Sequence, residues 1–168
     1  VNEAGSQLTA AIRQKEVFAD YFEKVTGMSV QDSITLYEAQ TGDSLTVNEV
    51  EKMFMDPDYA REQLMANENL HKVYRGILNS NVPQTMPGAS SNFVRLPWYK
   101  SIFHNPWYAP WQNSKWVGRN GGHLEAVYNR QGNLVSSNDY MGTFNFFGPD
   151  QIRAHKAADV DPYFKWGN

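Results

Sequence analysis

The chain has 168 residues, 41% hydrophobic and 14% aromatic, which suits one domain or two small lobes on a shared core and excludes a disordered chain. It has no cysteine, which excludes disulfides, thiol nucleophiles and cysteine-ligated metals. The net charge of −3 is uneven: up to Ser90 there are 13 acidic and 7 basic residues, and from Ser91 onward 5 acidic and 8 basic, with all five Trp in that basic half.

A basic, aromatic-rich half suits an anionic or polymeric partner; a β-rich lobe also collects aromatics for packing. No apolar run reaches the length of a membrane span. The N-terminal residues lack both an initiator Met and the order of a signal peptide, so a fragment of a longer chain or a mature product is expected.

In chain order, Ser6 is placed to cap a helix carrying Leu8, Ile12, Phe18, Phe22 and Val25 at helical spacing, with Gly27 as its stop. Ser29 and Asp32 open a second helix that stops at Gly42. Thr46 and Glu49 form a capping box for a third. Asp56 followed by Pro57 starts a fourth, and "NLHKVYRGIL" reads as a fifth. The stretch 79–92 is a polar, Pro/Gly/Ser-rich loop. In "FVRLPWYKSIFHNPWYAPW", Pro97, Pro106 and Pro110 forbid a long helix or central strand. Its aromatics are expected to wrap across the core; an exposed platform for bases or sugars is the alternative.

The last third turns to β. "KWVG" and "HLEAVYN" flank the hairpin signal "RNGG", "RQGN" offers a second turn before "LVSS", and "TFNFF" is placed to add a fourth strand. Gly148–Pro149 opens a C-terminal helix expected to end near Asp161, because Pro162 follows. The expected fold is α+β: a helical lobe at 1–80, a Pro/aromatic connecting segment at 81–113, and an antiparallel meander of three to four strands plus a C-terminal helix at 114–168, together one domain.

Two constellations carry chemistry. His123 and Glu125 lie two apart in a predicted strand, hence on one face and about 7 Å apart. They form either an acid–base pair or the polar side of an ordinary strand. A metal-independent ribonuclease needs such a base and acid plus a cation for the phosphate. Arg119, Arg130 and Arg153 are nearby cations, and Trp116 is a candidate stacking surface. The second set is His155 and Asp159, four apart on one helix face, which suits a base with its orienting carboxylate or part of a metal site. His104, on an aromatic loop, is a third candidate with packing as its default, and His71 is assigned a structural role.

The pattern "EAVYNRQGNLVSSNDYMGTFNFFGP", then a His and "DVDPYFKWGN", resembles the tail of bacterial polymorphic toxin domains: the C-terminal modules of contact-dependent inhibition, Rhs and type VI secretion effectors. The resemblance spans Gly118 to Asn168 and carries over no catalytic residue. It implies delivery from a bacterium into a target cell and a cognate immunity protein as partner. Such modules are most often nucleases, so RNA or DNA is the expected substrate, in the target cytoplasm, with no cofactor required. The alternatives are a periplasm-acting peptidoglycan hydrolase, in which Glu125 is a general acid and His123, His155 and Asp159 hold a divalent metal such as zinc, and a non-catalytic membrane-disrupting or binding module.

Overall fold

Helix α1 spans Glu3–Thr26 in the computed structural model, which describes the backbone of residues 3–168 and, within α1, side chains from Arg13 onward. Ser6 thus lies inside α1 rather than capping it, and the side chains of Leu8 and Ile12 fall outside the described set. The next three helices start where their caps predict. Ser29 accepts the Asp32 amide at the head of α2 (Val30–Thr41), and Thr46 and Glu49 close a reciprocal capping box on α3 (Val47–Met55). Asp56 accepts the amides of Asp58 and Tyr59 at α4 (Pro57–Ala66). A π-helical turn, Leu70–Tyr74, runs into the short α5 (Arg75–Leu78).

The fold is α+β, with one three-stranded antiparallel sheet in the order β1 (Phe93–Arg95), β2 (Ser114–Gly118), β3 (Glu125–Tyr128). Three expectations about the meander are corrected. The strand beside β2 on its far edge comes from the Pro/aromatic segment, pairing Val94 with Val117. "LVSS" makes a single bridge, Leu134 to Tyr128, and is not a strand. "TFNFF" is extended but joins no ladder. Instead Phe144, Phe146 and Phe147 are buried in the helical core with Phe22, Phe54 and Leu64, so the two halves of the chain share that core. Phe54 is its hub, with ring centroids of Phe18, Phe22, Phe144 and Phe146 at 5.4–5.7 Å. Each such edge or tilted pair adds about 0.5–1.5 kcal/mol beyond area burial.

The C-terminal helix does not stop at Pro162. Helix α6 (Ile152–His155) passes through a π turn (Lys156–Val160) into α7 (Asp161–Trp166). The Asp161 amide reaches back five residues to Lys156, and Pro162 falls in the first turn of α7, where a helix has no partner for an amide. The register change thus absorbs the proline. Asp161 also binds Lys156 at 2.7 Å and Arg61 of α4 at 3.2 Å, tying α7 to the helical lobe. Among the described residues no helix is long and apolar enough to cross a membrane.

The aromatics of the Pro-rich segment do not wrap across the core. Trp98, Tyr99, Phe103, Trp107, Tyr108 and Trp111 are exposed, Trp107 by 90%. Two short 3₁₀ turns, Trp98–Lys100 and Ile102–His104, are all the helix the prolines leave.

Candidate functional site

The β2–β3 hairpin sets up one wall of a cleft. Lys115 pairs with Val127 and Glu125 with Val117, so Lys115 and Glu125 lie diagonally on the same face. Trp116 and Tyr128 occupy the opposite face, packed with Phe93. Lys115 Nζ sits 2.9 Å from Glu125 Oε2, His104 Nε2 sits 3.2 Å from Oε1, and Asn145 Nδ2 donates to Oε2 at 3.1 Å. Burial alone would raise the Glu125 carboxyl. The Lys115 ammonium and the His104 ring beside it outweigh burial and hold it well below the usual carboxylate range. Glu125 is therefore a carboxylate at neutral pH.

His104 spans two acceptors, with Nδ1 3.1 Å from the Tyr140 carbonyl and Nε2 against Glu125. Both bonds form together only when both nitrogens carry hydrogen.

The C-terminal helix supplies the facing wall. His155 Nδ1 lies 2.8 Å from the Phe147 carbonyl and 3.1 Å from Asp159 Oδ2. Both neighbours are acceptors, so Nδ1 bears the hydrogen. In the neutral ring Nε2 then holds a free lone pair. The Asp159 carboxylate is buried and accepts the amides of Phe146 at 2.8 Å and Phe147 at 3.0 Å. These amides belong to the extended "TFNFF" segment, which explains why that segment forms no sheet ladder.

Behind Asp159 stands Arg75, fully buried, with one guanidinium nitrogen 3.7 Å from Oδ1. It donates to the Phe144 carbonyl at 2.8 Å, to Thr143 Oγ1 at 3.0 Å and to His71 Nδ1 at 3.1 Å. His71 passes its Nε2 hydrogen to the Gly167 carbonyl at 2.6 Å. Burial and the adjacent Arg75 push His71 from 6.5 down to about 4, so it stays neutral and serves as an acceptor for Arg75. Both π turns, Leu70–Tyr74 and Lys156–Val160, thus carry members of this network, in keeping with the frequent placement of π turns at functional sites.

Lys115, Glu125, His104, Asn145, Arg75, His155 and Asp159 all line one open cleft, with Phe103, Phe164 and Tyr163 at its apolar side. Of the pairs the sequence singles out, the structure brings together Glu125, His155 and Asp159. It turns His123 away. His123 precedes β3, after the Gly121–Gly122 turn with φ of 74° and 68°, so the strand alternation that would align it with Glu125 does not reach it. Its ring stacks on Phe144 at 5.4 Å, accepts the Tyr21 hydroxyl at Nε2, and donates from Nδ1 to the Asn145 carbonyl at 2.7 Å. Burial pushes its imidazole below the ordinary value, and it is a neutral core residue.

Trp116 is buried and cannot stack on substrate. Arg119, Arg130 and Arg153 are exposed and do not line the cleft; Arg119 donates to the Ser91 carbonyl at 3.1 Å. The cleft cations are Lys115 and Arg75. Sequence reasoning named neither; the available signals were a lysine between Ser114 and Trp116 in a predicted strand and the i+4 spacing of Arg75 from His71 in "HKVYR". Asn145 alternates with Phe144 and Phe146, which send it to the opposite side of the segment.

Among the described residues no three His, Asp or Glu side chains converge as metal ligands, and His123, His155 and Asp159 do not come together. The arrangement is instead suited to proton transfer. It has an imidazole with an oriented lone pair, and at the hairpin wall an ammonium and a second imidazole held against one carboxylate. No family model, curated protein or solved structure matches the chain.

Proposed function

We propose that the protein is an interbacterial toxin domain acting as a metal-independent ribonuclease, with His155 as general base. The observation that carries this reading is the double anchoring of His155 Nδ1 by Asp159 and the Phe147 carbonyl, which leaves Nε2 free to take a proton at a cleft shared with His104 and Lys115. Nε2 removes the hydrogen of the ribose 2′-hydroxyl. The 2′-oxygen attacks phosphorus, the bond from phosphorus to the 5′-oxygen breaks, and Lys115, which holds Glu125 with one of its three hydrogens, delivers another to that leaving oxygen. The products are a 2′,3′-cyclic phosphate and a 5′-hydroxyl. The third Lys115 hydrogen is offered to the phosphate oxygens, where charge builds up.

The fixed charges of the site cancel as Lys115 with Glu125 and Arg75 with Asp159, so the extra negative charge of a phosphate is met by a protonated imidazole. Glu125 positions His104 and Lys115 rather than transferring a proton itself. A cell-wall hydrolase would need Glu125 as a protonated acid, and its depressed titration works against that role. The resemblance of residues 118–168 to polymorphic toxin modules supports delivery into a target cell and neutralisation by an immunity protein.

The test is expression in the bacterial cytoplasm and, separately, export to the periplasm. Cytoplasmic toxicity with RNA degradation, abolished by His155→Ala, is expected. Toxicity confined to exported protein, with intact RNA, would overturn the reading.

A further inference from the structure

The exposed aromatics between Trp98 and Trp111 are displayed by a built scaffold. Asn105 and Asn113, both buried, clamp the neck of the loop. Asn105 Nδ2 donates to the Ser101 carbonyl at 2.8 Å and the Asn113 carbonyl at 3.1 Å, and Asn113 Nδ2 donates to the His104 carbonyl at 2.8 Å. Ser101, also buried, bonds back to the Trp98 carbonyl at 2.7 Å. The polar groups thus face inward while Trp98, Phe103, Trp107, Tyr108 and Trp111 face solvent, the reverse of ordinary burial. Five large exposed rings carried on one clamped loop mark an interaction site.

Two observations define what it takes. No Asp or Glu occurs between Glu68 and Glu125, and Arg95 and Lys100 are exposed on the same stretch, so the surface repels anions nowhere along its own chain. The stretch also runs into the cleft. Phe103 meets Phe164 edge-on at 5.8 Å on the cleft lining, and the next residue is His104. Flat rings with interspersed cations are the features that bind single-stranded nucleic acid, since every base has a face to stack and each phosphate a charge to neutralise.

We propose that this aromatic shelf binds single-stranded RNA flanking the scissile linkage, stacking bases on Trp107 and Trp111 and feeding the strand past Phe103 into the cleft. The proposal rests on the ribonuclease reading for its direction, and it sets the substrate as unpaired rather than duplex RNA. Stacked bases in a duplex have no free faces to offer these rings.

The experiment uses the full chain with His155→Ala, which cannot cleave the probe, and a fluorescein-labelled 12-nucleotide oligouridylate, with an RNA duplex of equal length as comparison. Anisotropy is expected to show binding of the single strand, preferred over duplex and weakened by salt. Adding Trp107→Ala and Trp111→Ala is expected to weaken it about 10-fold or more. As a second variant that leaves the rings in place, Lys100→Glu is expected to weaken binding and flatten its salt dependence. Unchanged affinity in both variants, or no binding of the single strand, overturns the shelf. So does association of the shelf with a second copy or an acidic protein that RNA does not displace. Cleavage of a diribonucleotide, too short to reach the shelf, separates the two ideas. Shelf binding with no diribonucleotide cleavage by the unsubstituted protein keeps the shelf and removes the ribonuclease reading. Cleavage with no shelf binding does the opposite.

Discussion

Asp159 Oδ2 lies 3.1 Å from His155 Nδ1, and the same carboxylate is fixed by the amides of Phe146 and Phe147 and faced by Arg75. One buried acid therefore both orients the half-buried imidazole and closes the polar accounting of an extended core segment. These two duties separate in mutants.

His155→Ala removes the imidazole from the cleft edge, where its side chain keeps 18% of its exposure. The expected result is a loss of about 10²–10⁴-fold in RNA cleavage. Stability should fall by about 1–3 kcal/mol, because the Phe147 carbonyl loses the His155 Nδ1 hydrogen that it accepts. Cleavage assays beside urea unfolding of the same preparation check both halves.

Asp159→Asn should lose both. One oxygen is replaced by an amide that cannot accept, so His155 loses its orienting acceptor and Arg75 faces no charge. Cleavage should fall about as far as in His155→Ala, and stability by about 3–5 kcal/mol, the usual cost of breaking a buried ion pair. A variant that unfolds like the parent would contradict the burial of Asp159.

Glu125→Gln leaves the Lys115 ammonium buried beside a neutral amide. A loss of about 3–5 kcal/mol is expected, read as a lowered urea midpoint. Cleavage should fall as well, because Lys115 and His104 lose the carboxylate that holds them at the cleft wall.

Acid should destabilise the fold before the carboxylates titrate. His71 has its folded value lowered from 6.5 to about 4, so between those pH values the unfolded chain binds a proton that the folded one refuses. Stability contributed by neutral His71 is complete above 6.5 and is lost as pH falls toward 4, on the order of 3 kcal/mol in total. His123, lowered by burial, acts in the same direction, and Glu125 adds a further loss below 4.5, as pH falls toward its depressed folded value. NMR titration of the ring protons should find His71 neutral at pH 5.5; a midpoint near 6.5 would contradict its contact with Arg75.

The Trp residues should divide by environment. Trp116→Ala empties a buried site against Phe93 and Tyr128 and should cost about 3–5 kcal/mol. Trp107→Ala, at 90% exposure, should cost less than about 0.5 kcal/mol. Thermal unfolding of the pair checks the contrast.

Local chemistry was legible where the structure depends on neighbours in sequence. Ser29, Thr46 with Glu49, and Asp56 with Pro57 each start a helix at the residue expected, because capping is a three-residue interaction. His155 and Asp159 share a helix face for the same reason. What escaped is non-local. The proline at 162 reads as a stop until the π turn before it changes the hydrogen-bond register. "TFNFF" has strand composition, but the amides of Phe146 and Phe147 are taken by Asp159 and that of Asn145 by the His123 carbonyl. Alternation pairs His123 with Glu125 only if the strand includes both, and it begins at Glu125. The aromatic segment defeats periodicity altogether, since prolines break both periods and composition alone cannot distinguish a ring facing solvent from one facing the core. Arg75 lies in the acidic half of the chain and reaches the cleft only through its contacts with Asp159 and the Phe144 carbonyl, both remote in sequence.

The most direct test is incubation of the purified protein with an oligonucleotide containing a single ribonucleotide in an otherwise deoxy strand, in the presence of a chelator, with products weighed by mass spectrometry. Cleavage after the ribonucleotide alone, leaving a 2′,3′-cyclic phosphate, and its loss in His155→Ala, is the predicted result. Cleavage at deoxy positions, dependence on a divalent metal, or equal cleavage by His155→Ala would contradict the role assigned to His155 and Asp159.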